Sequence, residues 1–378
     1  MQDEITQAVL SREEVARYLR GGTGETGPQA RERIHAYLDE LRTTQRYPIY
    51  RALKHPLYPI LRKVERLSEG AEHVHQATDQ GRVVYISNHK SHLDYLVEPL
   101  VLEDNHIRPP VIAAGINLFG GPLGMLHRHV TGAIPIRRNT KDPAYLVTLK
   151  AYVAELLRRH DLFFYIEGGR SYTGELKSPK TGLVHACVQA GIENLAVIPT
   201  AVAYDLVLED RILSRQGAKR RQRPFSREVA EMIASAVGYR TRAFVCFGAP
   251  IVLDGWDSHS RRDVLDLARL IRERIGLLHK VLPTALVATA MRPSATRRDL
   301  ETRVQATLEV LASRGANLGA IASARAAVEQ GIEQLILRSV IVPESQRYRV
   351  RDRTLLRYYA HSLDHLLAHS PRSGARPH

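Results

Sequence analysis

The sequence predicts an α/β protein, in which a mixed sheet is flanked by helices and helical regions precede and follow the sheet along the chain. Two observations predict this class. Short β-branched or apolar runs recur between about residues 80 and 255, and segments with helical periodicity separate them. Strands that alternate with helices are typical of α/β sheets. The composition, 44% hydrophobic and 25% charged, is that of an ordinary globular protein.

Residues 1–70 are predicted to be a helical N-terminal region. The chain begins with a charged segment that lacks the apolar core of a signal peptide. Within 47–66, tyrosines and leucines alternate with lysines and arginines. Such a mixture suits the headgroup boundary of a membrane, and it equally suits amphipathic helices that pack on the next domain. Both interpretations stay open.

Residues 71–255 are predicted to form the α/β domain. Its helical segments include one in which Leu146, Leu149, Val153 and Leu156 share a face. The predicted strands are "VVYIS" (83–87), "GAIPI" (132–136), "LFFYIE" (162–167), "LAVIPTAVAY" (195–204) and "RAFVCF" (242–247).

The longest apolar run covers residues 111–126 and contains Asn117, four glycines and a proline. A membrane-spanning helix needs about 20 predominantly apolar residues. We therefore interpret this run as buried or interfacial, and we expect no transmembrane helix.

The C-terminal region, residues 256–368, is predicted to be helical. Val264, Ala268, Ile271, Ile275 and Leu278 have helical spacing, and further helices are expected over 295–313 and 319–338. The last ten residues, 369–378, are expected to be disordered because they are polar and rich in proline and glycine.

Charge and cysteine content narrow the function classes. A net charge of +14 favours an anionic partner: nucleic acid, anionic lipid or a phosphorylated substrate. Two cysteines without metal-ligand spacing argue against a disulfide scaffold and fit a reducing compartment.

The stretch "YISNHKSHLDYL" holds the strongest catalytic candidates, His89 and Asp94. On one continuous helix, residues five apart point away from each other, so the two can meet only if the chain changes conformation between them. Ser91-x-x-Asp94 has the form of a capping box with aspartate in place of glutamate. His89 is then expected in a strand-to-helix loop and Asp94 in the first helical turn, where the carboxylate can reach back.

A histidine held by an aspartate is suited to removing a proton from a hydroxyl group. Two alternatives stay open: Asp94 caps the helix while His89 is incidental, or a metal is bound by the nearby cluster of His73, His75, His89, His92 and Asp94. The spacing matches no strong metal signature, and His92 is interpreted as structural or a minor contact.

Three further segments at strand ends carry positive charge or glycine. Arg137 and Arg138 follow one strand and could bind phosphate bidentately. Glu167, Gly168, Gly169, Arg170 and Ser171 follow another, and adjacent glycines let backbone N–H groups approach an anion. Lys177 and Lys180 come next. Ligands favour the carboxyl ends of strands in open α/β sheets, so these segments predict an anion site.

These segments resemble the H-x4-D glycerolipid acyltransferases. "NHKSHLDYL", "AAGINL", "GAIPIRR", "YIEGGRSYTG", "PKTG" and "VIPTAVAYD" occur in the order and approximate spacing of the branch that acylates glycerol 3-phosphate or dihydroxyacetone phosphate. Later segments, "YDLVLEDRILSRQGAKRRQ" and "LLRYYAHSLDHLL", are similar to that branch as well. The resemblance covers about residues 80–370.

The resemblance implies transfer of a fatty acyl group from acyl-CoA or acyl carrier protein to the sn-1 hydroxyl of glycerol 3-phosphate. It implies that His89 is the general base and that Asp94 orients it. The acceptor site would contain Arg138, Glu167, Gly168, Arg170 and Ser171, with added charge from Lys180, and Pro199 would shape the entrance for the acyl chain. No metal and no organic cofactor are implied.

Alternative functions remain at this point. Dihydroxyacetone phosphate or lysophosphatidate could be the acceptor, and a metal-dependent hydrolase or a non-catalytic protein that binds anionic lipid would also use such residues. The run 211–227 carries seven lysines and arginines. A solvated loop stays open as an interpretation, but we expect a surface that meets anionic lipid or donor phosphates. Nucleic acid is not expected, because no stacking pattern accompanies the run. The expected location is peripheral, at the cytoplasmic face of the cell membrane.

Overall fold

A computed structural model describes residues 2–21, 27–43, 63–116, 132–219 and 240–368. The chain divides into two compact units. The first unit comprises Met1–Arg170, Ser178–Val202 and Pro224–Ile275. The second unit comprises Ser171–Lys177, Ala203–Arg223 and Gly276–His378.

The first unit is built on a mixed sheet. In the described residues its strands are β1 (Val64–Glu69), β2 (Val83–Ser87), β3 (Val111–Gly115), β4 (Ala133–Ile136), β5 (Leu162–Tyr165), β6 (Ala196–Tyr204), β7 (Thr241–Phe247) and β8 (Ile251–Val252). The order across the sheet is β1-β7-β6-β2-β5-β3-β4, and β8 pairs with β6. β8 is antiparallel to β6, whereas β2 is parallel to both of its neighbours, β5 and β6. The predicted fold class is therefore confirmed.

The helices of this part of the chain lie before, between and after the strands. They are α1 (Gln2–Ser11), α2 (Glu13–Arg20), α3 (Gly27–Leu41), α4 (Ala71–Gln80), α5 (Asp94–Asp104), α6 (Pro143–Leu157), α7 (Thr181–Gln189) and α9 (Arg261–Leu278), which runs on into the second unit.

The N-terminal helices pack on α6. Arg12 pairs with Glu155 at 2.9 Å, and the Tyr37 ring meets the Tyr145 ring edge-on with centroids 5.3 Å apart. This packing buries α6 on most of its surface, which explains its nearly continuous apolar sequence. Leu146 is an exception to the predicted apolar face, because it is 39% exposed.

The second unit contains helices and a small sheet. Its helices are α8 (Asp210–Lys219), α10 (Pro283–Ala290), α11 (Arg297–Ser313), α12 (Ala324–Leu337), α13 (Arg353–Ala360) and α14 (Asp364–Leu367), with a short 3-10 helix at His361–Leu363. β9 (Ser294–Thr296), β10 (Ile341–Glu344) and β11 (Arg347–Val350) form an antiparallel sheet in the order β10-β11-β9.

A buried polar cluster joins the segments of the second unit. Asp210 accepts hydrogen bonds from Arg338 and from the Tyr359 hydroxyl, and all three side chains are buried. Arginine and tyrosine satisfy a carboxylate that would otherwise be costly to bury. Two stretches that resemble the acyltransferase branch, one containing Asp210 and one containing Tyr359, therefore meet in a structural contact.

The element boundaries differ from the predicted ones at several places. The five predicted strands are confirmed within one or two residues. The predicted helical region 1–70 is wrong at its end, because Val64–Glu69 is a strand paired with β7. The predicted helical region after 255 is wrong at the small sheet of the second unit. Most of 47–66, residues 117–126, the end of the basic run 211–227 and the tail 369–378 lie outside the described residues.

Within the described residues, no helix combines the length and the apolar character needed to cross a membrane. The first part of the apolar run 111–126 forms β3, whose residues are mostly buried. A short strand buried in a sheet has the same composition as a piece of a hydrophobic helix, so the run itself could not distinguish the two.

Candidate active site

The predicted site residues of the first unit lie at one edge of the sheet. β2 leads into His89, β4 into Arg138, and β5 into Glu167–Arg170. β2, β3, β4 and β5 are parallel, so their carboxyl ends meet at the same edge. The sheet thereby gathers segments that are up to about 80 residues apart in sequence.

His89 and Asp94 form a hydrogen-bonded pair, with His89 Nδ1 2.8 Å from Asp94 Oδ2. The same carboxylate oxygen accepts the backbone N–H groups of Lys90 at 2.6 Å and Ser91 at 2.9 Å. The Asp94 side chain is fully buried and stands at the first residue of α5. Three donors and a helix N-terminus favour the ionised carboxylate. The predicted meeting of the two side chains is confirmed.

The predicted capping box forms only in part. The Asp94 carboxylate accepts the Ser91 N–H, as a capping box requires. The Ser91 hydroxyl accepts the N–H of Leu93 at 3.0 Å instead of that of Asp94. The turn therefore closes one residue earlier than predicted, and α5 begins at Asp94 itself.

The imidazole of His89 is held from two more directions. Its ring stacks on Tyr165 with centroids 3.9 Å apart and planes 8° apart. Its backbone N–H donates to Glu167 Oε1 at 2.9 Å. The His89 side chain retains 12% exposure. Since Nδ1 faces Asp94, Nε2 is the nitrogen placed to accept a proton from a substrate.

The residue before His89 anchors the loop to the sheet. Asn88 donates from Nδ2 to the Val202 carbonyl at 2.9 Å and accepts the Val202 N–H at 2.7 Å through Oδ1. A side-chain amide that makes both bonds to one residue acts as a short piece of strand. The loop that carries His89 is therefore fixed to β6.

The glycine pair after β5 is tightly packed. Gly168 has φ of 66°, a conformation that side chains other than glycine rarely adopt. A Cβ atom on Gly168 would lie 3.1 Å from Lys180 Cγ, and one on Gly169 would lie 3.3 Å from Arg138 Nη1. The absence of side chains at these positions lets two cationic side chains lie against the turn. Arg138 and Lys180 are both exposed.

Arg170, at the end of the turn, contacts His92. Its Nη1 hydrogen-bonds His92 Nε2. A guanidinium can only donate, so His92 Nε2 accepts and carries no proton in this arrangement. His92 was interpreted from the sequence as structural or a minor contact. It contacts Arg170, a residue predicted to bind the acceptor substrate.

The acyltransferase family model matches residues 66–203, which contain every site residue described so far. Residues 66–203 form an acyltransferase-family domain. The resemblance stated from the sequence motifs is thereby confirmed.

Curated relatives are named glycerol-3-phosphate acyltransferase. The protein of Aeromonas hydrophila is 32% identical over 315 residues, covering 75% of this chain and 39% of the relative. That of Histophilus somni is 39% identical over 190 residues, covering 48% and 23%. A Mycobacterium bovis protein named putative acyltransferase plsB1 is 29% identical over 336 residues, covering 82% and 52%. The chain thus spans about half the length of these relatives or less.

Arg137 is not placed like Arg138 in the acyltransferase domain. Its guanidinium binds Glu40 of α3, with Nε 2.7 Å from Oε1, and lies over the rings of Tyr37 and Tyr145. The hydrogen-bonded ion pair with Glu40 raises the pKa of Arg137 above its ordinary value. This pairing argues against the predicted phosphate contact and gives Arg137 a structural role between α3 and the sheet.

The other predicted residues occupy distinct positions. Glu167 is buried, and its carboxylate accepts the backbone N–H of His89, so it positions the loop that carries His89. Pro199 is buried in β6 beside Ile86 of β2. Ser171 is buried and begins the part of the second unit that follows Arg170.

The Cys187 thiol and the histidine cluster noted in the sequence are further candidates for chemistry among the described residues. Burial raises the pKa of the Cys187 thiol to about 12, so it stays protonated and a poor nucleophile. In the described part of the chain, the side chains grouped closely enough to hold a metal ion are Glu175, His361 and Asp364, in the second unit. The Asp94 oxygen that faces His89 is already occupied by three donors.

Two residues of the site were missed by the sequence analysis. Tyr165, the last residue of β5, is the ring on which His89 stacks. Glu98, one turn after Asp94, is buried and accepts the Ser87 hydroxyl. A signal for Glu98 was present, because a glutamate stands within the otherwise apolar stretch "YLVEPLVL". No sequence signal distinguished Tyr165 from other aromatic strand residues.

Proposed function

We propose that this protein is a glycerol-3-phosphate O-acyltransferase that uses His89 as its general base. The observation that supports it best is the His89–Asp94 pair at 2.8 Å, beside a glycine turn flanked by Arg138 and Lys180. A base next to a cluster of cations suits a substrate that carries both a hydroxyl and a phosphate.

In the proposed reaction, His89 Nε2 removes the proton from the sn-1 hydroxyl as that oxygen attacks the thioester carbonyl. The ionised Asp94 stabilises the imidazolium that forms. The new C–O ester bond forms, the C–S bond breaks, and the proton held by His89 passes to the thiolate. The products are lysophosphatidate and the free thiol, and no covalent enzyme intermediate is required.

The acceptor phosphate is assigned to Arg138, Arg170 and Lys180. Arg138 and Lys180 pack on the turn at Gly169 and Gly168, and Arg170 ends the same turn. Guanidinium groups bind phosphate oxygens through charge-assisted hydrogen bonds. The Glu167–His89 backbone bond links this turn to the base. Glycerol 3-phosphate held by its phosphate at the turn would therefore place its sn-1 hydroxyl within reach of His89.

The acyl donor is proposed to be acyl-CoA or acyl carrier protein, and the enzyme is proposed to work at an anionic membrane surface on the cytoplasmic side. The high net positive charge supports the membrane contact. Pro199 and Ser171 remain proposed contributors to the acyl entrance and the acceptor site.

The test is release of free thiol from palmitoyl-CoA by the purified protein with liposomes. Glycerol 3-phosphate, dihydroxyacetone phosphate and lysophosphatidate are offered separately. We expect release that depends on glycerol 3-phosphate. Release only with another acceptor would keep the mechanism and change the substrate. Release abolished by a chelator would support a metal-dependent hydrolase. Liposome binding without thiol release, from palmitoyl-CoA or from acylated acyl carrier protein, would support a binding protein.

Arg138→Ala is expected to raise the acceptor KM roughly tenfold to a hundredfold with a smaller change in the donor KM, because a charge-assisted contact is lost. The matched control is Arg137→Ala. Since Glu40 holds Arg137, this variant is expected to lower thermal stability and to leave the acceptor KM within about twofold. Equal acceptor effects in both variants would contradict the assignment.

His92→Ala is expected to raise the KM for the acceptor substrate roughly tenfold, because Arg170 loses a hydrogen-bond partner that orients it. His92→Gln offers a carbonyl oxygen to Arg170 and should restore much of the affinity. Steady-state kinetics with varied acceptor separate KM from kcat. A loss in kcat alone, unrepaired by glutamine, would show that His92 acts otherwise.

A further inference from the structure

Glu98 is a second buried carboxyl group on α5, the helix that begins at Asp94. It lies four residues after Asp94 on α5, so the two side chains share one face of the helix. It is 1% exposed, and the Ser87 hydroxyl at the end of β2 donates to its Oε1. Ser87 stands two residues before His89.

Two strand ends meet at this contact. The Ser87 carbonyl accepts the N–H of Ile166 at 2.9 Å, just before Glu167 holds the backbone of His89. The contact between Glu98 and Ser87 therefore ties α5 to the point from which both site loops depart. Displacing it would move His89 and its Asp94 partner relative to each other.

Two carboxylates so close in a buried site cannot both be ionised cheaply. Asp94 has three hydrogen-bond donors and a helix N-terminus that favour its charged form. Burial, and then the negative charge of Asp94, raise the pKa of Glu98 well above its ordinary value, against opposing contributions from the Ser87 and Tyr165 hydroxyls. Asp94 on its own helix and Tyr165 on β5 are thus the titratable groups that act on it.

We propose that Glu98 is a neutral carboxylic acid that positions the His89–Asp94 pair, bracing α5 against the end of β2 and leaving Asp94 as the charged partner of His89. The catalytic part of this inference rests on the proposed function. The positions and the protonation state do not, so they can be tested without any substrate.

The first test compares the thermal stability of Glu98→Gln with that of the unchanged protein across pH. A carboxyl group whose pKa is raised on folding contributes stability that is complete below the unfolded pKa, near 4.5, and is lost as pH rises through the folded pKa. Glutamine cannot ionise. The Tm of the variant should therefore increase relative to that of the unchanged protein as pH rises above the unfolded pKa. Glu103→Gln, on the same helix and partly exposed, should show no such gain.

Infrared difference spectra of the same two proteins provide an independent test of protonation. At neutral pH the unchanged protein should show the carbonyl stretch of a protonated carboxylic acid that Glu98→Gln lacks. A carboxylate band in its place, together with a constant Tm difference across pH, would overturn the neutral assignment.

Positioning is tested with Glu98→Leu, which fills a similar volume but cannot accept from Ser87. The downfield proton NMR signal of His89 Nδ1–H bonded to Asp94 should persist in Glu98→Gln and shift or disappear in Glu98→Leu. An identical signal in all three proteins would overturn the positioning role.

Activity provides the last comparison. Glu98→Leu should lower kcat by roughly tenfold or more through misplacement of His89, and Glu98→Gln should restore most of it. Ser87→Ala should act through the same contact, so the double variant with Glu98→Leu should be little worse than either single one. If the unchanged protein releases no thiol, the proposed function fails while the spectra still test Glu98. If it is active and Glu98→Leu matches Glu98→Gln, the function stands and the inference fails.

Discussion

His89→Ala is expected to lower the turnover number by about 10²- to 10⁴-fold, the usual contribution of a positioned general base. The protein should remain folded, because Asp94 keeps its two backbone donors, Lys90 and Ser91, and α5 keeps its start. The measurement is thiol release at saturating acceptor, with circular dichroism and thermal unfolding to confirm the fold.

His75→Ala is the matched control for this variant. His75 lies on α4 and is exposed, and it belonged to the sequence cluster that raised a metal site as an alternative. We expect its turnover to equal that of the unchanged protein. Undiminished turnover in His89→Ala would refute the general-base role, and equal losses in both variants would favour a metal bound by the cluster.

Asp94→Asn is expected to lower turnover by about 10²- to 10⁴-fold and to cost less stability than Asp94→Ala. The hydrogen bonds from His89, Lys90 and Ser91 reach one oxygen of Asp94, so an amide oxygen in that position can accept these three. What asparagine lacks is the negative charge that stabilises the imidazolium. This variant therefore separates the charge of Asp94 from its geometry.

Asp94→Ala and Asp104→Asn complete the comparison. Alanine leaves two buried N–H groups without their acceptor, so it should also destabilise the protein, by about 1–3 kcal/mol for each. Asp104 is at the far end of α5 and pairs with Arg66 at the surface, so its asparagine variant should keep full turnover. A fully active Asp94→Asn would mean that the carboxylate only closes the turn.

Five of the eight strands that the structure describes in the large sheet could be predicted, because their apolar, β-branched runs differ in period from the helices between them. β1 could not be predicted, because its sequence, "VERLSE", is charged and it is stabilised by pairing with β7. Edge strands bury little, so their sequences carry little pattern. The small sheet of the second unit also carries little apolar pattern, because half of the residues of β10 and of β11 are exposed.

The site could be predicted where one short segment holds the whole arrangement. His89, Asp94 and the turn between them lie within six residues, and local backbone geometry brings them together. The roles of Arg137 and Arg138 could not be separated in this way. Adjacent in sequence, they point to different partners, because Glu40 of α3 holds one and the glycine turn adjoins the other.

By itself the sequence determined the fold class, the meeting of His89 with Asp94 and the resemblance to glycerolipid acyltransferases, because each depends on local pattern or on motifs in order. Only the tertiary structure decided that His92 holds Arg170, that Tyr165 stacks on His89 and that Glu98 lies behind Asp94. These contacts join separate strands and helices through burial and hydrogen bonding. Whether a charged or aromatic side chain is structural or functional depends on the partner that the fold places beside it.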